Sequence, residues 1–143
     1  MRMVLCISMI SGVMIAALAM RSAPSSAADV APGGKIYDMR IYKANPGKLE
    51  ALHARFRDYT CKIFQRLGME LVGFWTPTEG DEAKDTLIYI VAFPSVEAQK
   101  KAWKAFWDDP EWKKVKADSE KDGVLVKEIK AKTLRATDYS PIH

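Results

Sequence analysis

The chain is 143 residues long, with 22 Lys and Arg against 18 Asp and Glu and a formal net charge of +4. That excess is too small to single out nucleic acid as a partner, and the length suits one domain with its own core rather than two. Two cysteines give no disulfide framework, and no Gly-rich phosphate loop, paired-cysteine motif, nucleophile elbow or HExxH occurs in the sequence.

Arg2 is followed by an apolar run of 17 residues, Val4 to Met20, and then by the small, Ser/Ala-rich stretch 22–28. This is the order of a secretory signal peptide, with cleavage expected after about Ala28. The run lies at the lower limit for spanning a bilayer and no basic cluster follows it, so the mature protein is expected to be secreted or periplasmic and free of the membrane. Removal of residues 1–28 from the 143 leaves 115 and takes away Arg2 and Arg21, which lowers the formal charge from +4 to +2. Cys61 then remains as the only cysteine and reads as a small buried hydrophobe. Residues 29–35, DVAPGGK, form a flexible lead-in to a domain over 36–143.

The first strand is expected over Ile36 to Tyr42, closed by Asn45, Pro46 and Gly47. Tyr37, Met39 and Ile41 make one apolar face, while Asp38 and Arg40 lie on the other with Ile36 and Tyr42. From Lys48 to Leu67, Leu49, Leu52, Phe56, Ile63 and Leu67 recur at helical spacing opposite Arg55, Arg57, Asp58, Lys62 and Arg66, and Gly68 caps the helix. MELVGFWTP, residues 69–77, is the second strand and forms a hairpin with the third, Thr86 to Phe93. That third strand, TLIYIVAF, is apolar on both faces, so both must be covered. Ser95 is positioned to cap a helix running to Asp108, and Asp109 and Pro110 restart a second segment ending near Gly123. The last strand, Val124 to about Leu134, carries Glu128, Lys130 and Lys132, as suits an edge.

The order β α β β α β is that of a ferredoxin-like α+β fold, a four-stranded antiparallel sheet with helices on one face. The first and third strands are central in it. Two helices cover one face of TLIYIVAF, and a second copy packed sheet against sheet is the simplest cover for the other.

Four separated stretches, RIYKANPGKLEALHARFRDYT, LVGFWTP, KAFWDDPEWKKVKADSE and TDYSPI, together resemble the NIPSNAP family over about Ile36 to Ile142. The resemblance implies a dimeric α/β barrel and a binding or scaffold role, and eukaryotic members are associated with mitochondria and vesicle traffic. Relatives tend to carry histidine where this chain has Tyr59 and Leu67. Only His53 and His143 remain in the mature region, which makes no convincing metal site, and no cofactor is expected.

Asp38 and Arg40 are expected to face the space between the two sheets of the dimer, as a structural ion pair or as part of a site. In the functional reading Arg40, with Tyr42 and Trp75, lines a pocket that holds a small anionic group. His53, on the margin of the first helix's apolar arc, and Asp38 are the weak candidates for acid/base work. Trp103, Phe106, Trp107 and Trp112 read as core, and the lysines of the last helices as a solvated face. The function expected is a homodimer that binds a small molecule or a protein partner, a reading that leans away from an enzyme. The alternative is a cofactor-independent oxygenase, lyase or isomerase acting on a small anionic substrate in the barrel cleft. A haem protein would have only His53 to offer as an axial ligand.

Overall fold

A computed structural model describes residues 34–142. The segment 1–28 expected to be a signal peptide, residues 29–33 of the expected lead-in and His143 lie outside the described residues. The elements follow in the order β1 (Ile36–Ala44), α1 (Leu49–Arg55), a π-helical turn (Phe56–Thr60), α2 (Cys61–Arg66), β2 (Glu70–Trp75), β3 (Thr86–Phe93), α3 (Val96–Asp108), α4 (Pro110–Ser119) and β4 (Val126–Arg135), with a short 3₁₀ turn at Asp81–Lys84. The four strands form one antiparallel sheet in the order β2-β3-β1-β4. The fold is the ferredoxin-like α+β arrangement, with β1 and β3 in the middle.

Local chemistry sets the ends of the helices. Gly68 takes φ +79°, the left-handed conformation that closes a helix, and the Met69 amide bonds back to the Phe64 carbonyl at 2.9 Å. The Ser95 hydroxyl accepts from the Ala98 amide, and the Asp109 carboxylate accepts from the Trp112 amide with Pro110 at the first position of α4. These caps divide α3 from α4 at the Asp-Pro step.

The π-helical turn decides which residues of the first helix face the core. At 100° per residue a straight α-helix would place Phe64 about 80° round from Phe56. The extra residue of the π turn takes out about 100° and brings Phe64 back to the inward side. Phe64 is fully buried there, against Phe56, Tyr89, Trp103 and Phe106. Thr60, in the turn itself, donates its hydroxyl to the Arg55 carbonyl at 3.2 Å.

Register assigns the two faces of the sheet. Arg40 pairs with Tyr89, Asp38 with Val91, Tyr42 with Leu87 and Ile36 with Phe93, so all four β1 residues lie on the helix-covered face with the core. Tyr37, Met39 and Ile41 lie on the outer face with Ala92, Ile90 and Ile88. The expectation that Asp38 and Arg40 face outward between two sheets is therefore corrected. The pair lies on that side because Gln99 and Trp103, which satisfy the Asp38 carboxylate, come from α3, and Tyr37, Met39 and Ile41 are thereby left on the outer face. Trp75 lies on the outer face beside Ile88 and folds over Gly73, where an added Cβ would lie 2.5 Å from the indole ring. Phe74, on the inner face, stacks on Tyr89.

Phe64→Ala is expected to cost about 3–5 kcal/mol, since the cavity would open between the four aromatic rings packed against it. Urea unfolding of the domain measures it.

Candidate functional site

Asp38 is 2% exposed and its carboxylate is enclosed by donors from two elements. From its own strand, Arg40 donates through Nη2 at 3.2 Å and through Nε at 3.4 Å. From α3, the Trp103 indole N–H donates at 2.7 Å and the Gln99 amide at 3.2 Å, and the same Gln99 nitrogen also reaches the Thr133 hydroxyl of β4. A buried carboxylate is tolerable only when it is supplied in this way. The cluster is therefore a clamp that holds α3 onto β1 and β4, and its oxygens are already taken. Burial by itself would lower the Arg40 pKa, but the Asp38 hydrogen bond and the neighbouring Tyr89 and Tyr42 raise it above its ordinary value.

Arg40 also lies over the Trp103 ring, 3.8 Å from its centroid, and Trp103 stacks on Trp107 with 22° between planes. The sequence reading placed Trp107 in the core, but its side of α3 is not covered by the sheet and it is 43% exposed. It forms one wall of an open cleft of about 510 Å³, together with Tyr42, Trp112, Val124 and Ile129. Tyr42 reaches this cleft from β1 and accepts a hydrogen bond from the fully buried Tyr89 hydroxyl at 3.1 Å. Burial first, and then Tyr42, push the Tyr89 pKa well above the usual phenol value, so it stays protonated.

Arg55 is the residue of this region that helical spacing misplaces. It reads as part of the polar arc, yet it is buried beneath α4, where Nη1 meets Glu120 at 3.0 Å and the guanidinium lies 5.2 Å from the Trp112 ring. It also lines the cleft. A signal for this was the acidic end of α4 facing a helix that carries arginine on its flank. The acceptor requirement of a core indole could likewise have pointed from Trp103 to Asp38.

The residues singled out from sequence are thus only partly brought together. Asp38, Arg40 and Tyr42 share the helix-side face, with Tyr42 in the cleft and Arg40 behind its wall. Trp75, half exposed, is on the opposite face of the sheet and does not join them. His53 is half-buried on α1, about 200° round the helix from Arg55, and makes no side-chain hydrogen bond among the described residues. Tyr59 is exposed in the π-helical turn and Leu67 packs on the margin of the core. Among the described residues no group of three or more His, Cys, Asp or Glu could hold a metal ion, and no helix is long and apolar enough to cross a membrane.

The NIPSNAP family model matches residues 37–141, nearly all of the described chain. The chain belongs to the NIPSNAP family. Solved structures agree in fold. A NIPSNAP family protein of unknown function from Agrobacterium tumefaciens superposes with a TM-score of 0.66 at 23% identity, covering 77% of this chain and 95% of that one. A NIPSNAP-like domain protein from Burkholderia xenovorans gives 0.65 at 18% identity, covering 76% and 90%. A second Agrobacterium tumefaciens NIPSNAP protein gives 0.65 at 22%, again covering 76% and 90%. No curated protein matches the chain. For a NIPSNAP domain the chemistry must accordingly be read from the side chains themselves.

Asp38→Ala is expected to cost about 3–5 kcal/mol, because it leaves Arg40 as a buried charge without its partner and strips the Trp103 and Gln99 donors. His53→Ala is expected to change stability by no more than about 0.5 kcal/mol. Parallel chemical denaturation of the two variants separates a structural carboxylate from a peripheral histidine.

Proposed function

We propose that this NIPSNAP domain is an exported homodimer that binds a flat, largely apolar small molecule in the cleft between α4 and β4. The observation that carries the binding reading is the convergence of Trp107, Val124 and Ile129, three exposed large apolar side chains, on the cleft that Tyr42 and Trp112 also line. Contiguous apolar surface of this kind marks a place where something binds. Lys116, Lys127, Glu120 and Glu128 rim the cleft and would keep it wetted when empty. Arg40, by stacking on Trp103, orients the wall from behind.

Binding suits the geometry better than catalysis. The Asp38 oxygens are occupied by donors, and His53 is on the other flank of its helix from the cleft-lining Arg55. Export rests on the order of charge, apolar run and small residues at the start of the chain. The homodimer rests on the outer face of the sheet, where Met39, Ile41, Ile88 and Ile90 lie together with half-exposed Trp75 nearby, an apolar centre bordered by Lys130 and Lys132 of β4. A central apolar patch with a charged rim is the anatomy of a subunit interface.

Two measurements test this. Calorimetric titration with 2-naphthamide, a neutral planar probe, should show binding that Trp107→Ala weakens about tenfold or more; no binding by the native protein at millimolar probe would overturn the cleft reading. Sedimentation of the mature domain should give a dimer that Ile90→Lys converts to a folded monomer. A native protein that sediments as a folded monomer at micromolar concentration would refute the dimer.

A further inference from the structure

Arg55 is 4% exposed, and a buried guanidinium is expected to have its five N–H groups occupied. It does not. Nη1 alone is engaged, by Glu120 at 3.0 Å and by the Ser119 hydroxyl at 3.4 Å. Nε is buried with no partner, and Nη2 makes no hydrogen bond among the described residues. The Nε–Nη2 side is the edge by which a guanidinium takes a carboxylate with two parallel hydrogen bonds.

The surroundings keep that edge from being filled internally. Leu52 and Phe56 on the same helix are apolar, and Trp112 lies against the guanidinium at 5.2 Å. The carboxylate that touches Arg55, Glu120 just past the end of α4, takes the Nη1 end and is itself mostly covered, at 16% exposure of its side chain. The cleft that Arg55 lines holds two further cations, Lys116 and Lys127, against Glu120 and Glu128, so with Arg55 it carries one more positive charge than negative. An unpartnered charged donor costs stability unless something meets it. Arg55 lines two cavities, a groove with Asp58 and Asp118 between α1 and α4 and the cleft walled by Trp107 and Trp112, and of these the cleft, with its excess of positive charge, suits an external anion.

We infer that Arg55 is the anion-recognising residue of the cleft, and that its ligand is a planar aromatic or polycyclic carboxylate. The ring system lies against Trp107, Trp112 and Ile129, and the carboxylate takes the Nε–Nη2 edge with a small movement of the side chain, while Nη1 stays on Glu120. This deepens the cleft reading above and rests on it. It also transfers the anion-binding role from Arg40, whose guanidinium is engaged by Asp38 and stacked on Trp103, to a residue on the first helix.

The test compares 2-naphthoate with 2-naphthamide, which have the same ring system and differ in charge, by calorimetric titration of the mature protein. The native protein is expected to bind naphthoate about tenfold or more tightly than naphthamide. Arg55→Gln should erase that preference while naphthamide still binds. Glu120→Gln, which removes the competing carboxylate and leaves Arg55 in place, should raise the preference for naphthoate over naphthamide severalfold. Equal binding of the two probes by the native protein would overturn the inference and leave the cleft reading intact. Failure of both probes to bind would overturn the cleft reading and the inference with it. Should Arg55→Gln not fold, the native preference together with the Glu120→Gln response decides. A preference that survives in a folded Arg55→Gln protein, or one unaltered by Glu120→Gln, rules Arg55 out.

Discussion

A carboxylate with almost no solvent exposure, Asp38, governs how the helices sit on the sheet. Left without partners at that depth it would destabilise its surroundings, so its four hydrogen bonds to Arg40, Gln99 and Trp103 are a condition of the fold. Because two of its three donor residues come from α3, meeting that condition fixes the helix in place and sets the plane of the Trp103 indole. Trp107, one turn further along α3, then stacks on Trp103 and projects past the sheet. The wall of the cleft is in this sense a consequence of where one charge is buried.

The sheet separates two kinds of work. On the helix side, rings of Tyr42, Phe56, Phe64, Phe74, Tyr89, Trp103 and Phe106 fill the interior at centroid distances between 4.9 and 6.2 Å, mostly edge to face or tilted, with Phe74 stacked on Tyr89. Aromatic packing of this density leaves little room inside, so open volume is found where the aromatic layer runs out, beyond Trp107 and Trp112 along the edge strand β4. On the outer side the central strands present Tyr37, Met39, Ile41, Ile88 and Ile90 and no helix. The sheet thus leaves apolar surface on both sides, the cleft along β4 and the outer face of β1 and β3.

The local signals for the elements were strong and agreed with one another. Gly68, Ser95 and the Asp109–Pro110 step each act through one peptide or one cap, so their meaning does not depend on anything distant. The apolar content of Thr86–Phe93 put β3 in the centre of the sheet for the same reason, since only a strand covered on both sides can carry it. The edge position of β4 followed from its charges. What the local pattern could not supply was the side of the sheet on which the Asp38–Arg40 pair lies. Alternation says that Asp38 and Arg40 share a face, but which face meets the helices depends on the β1–β3 register and on Gln99 and Trp103, some sixty residues away.

Sequence alone determined the order of elements, the strand that must lie at the centre, the positions of the caps and the family, because each of these rests on neighbouring residues or on motifs read in order. Tertiary structure decided the functional geometry. It separated Trp75 from Tyr42 by the thickness of the sheet, turned Phe64 inward through an extra residue in one helical turn, exposed Trp107 and buried Arg55. Each of these depends on contacts between elements far apart in the chain. A periodic pattern records that a residue is apolar or charged, but a buried arginine with three of its five N–H groups unused is visible only when the elements around it have been assembled.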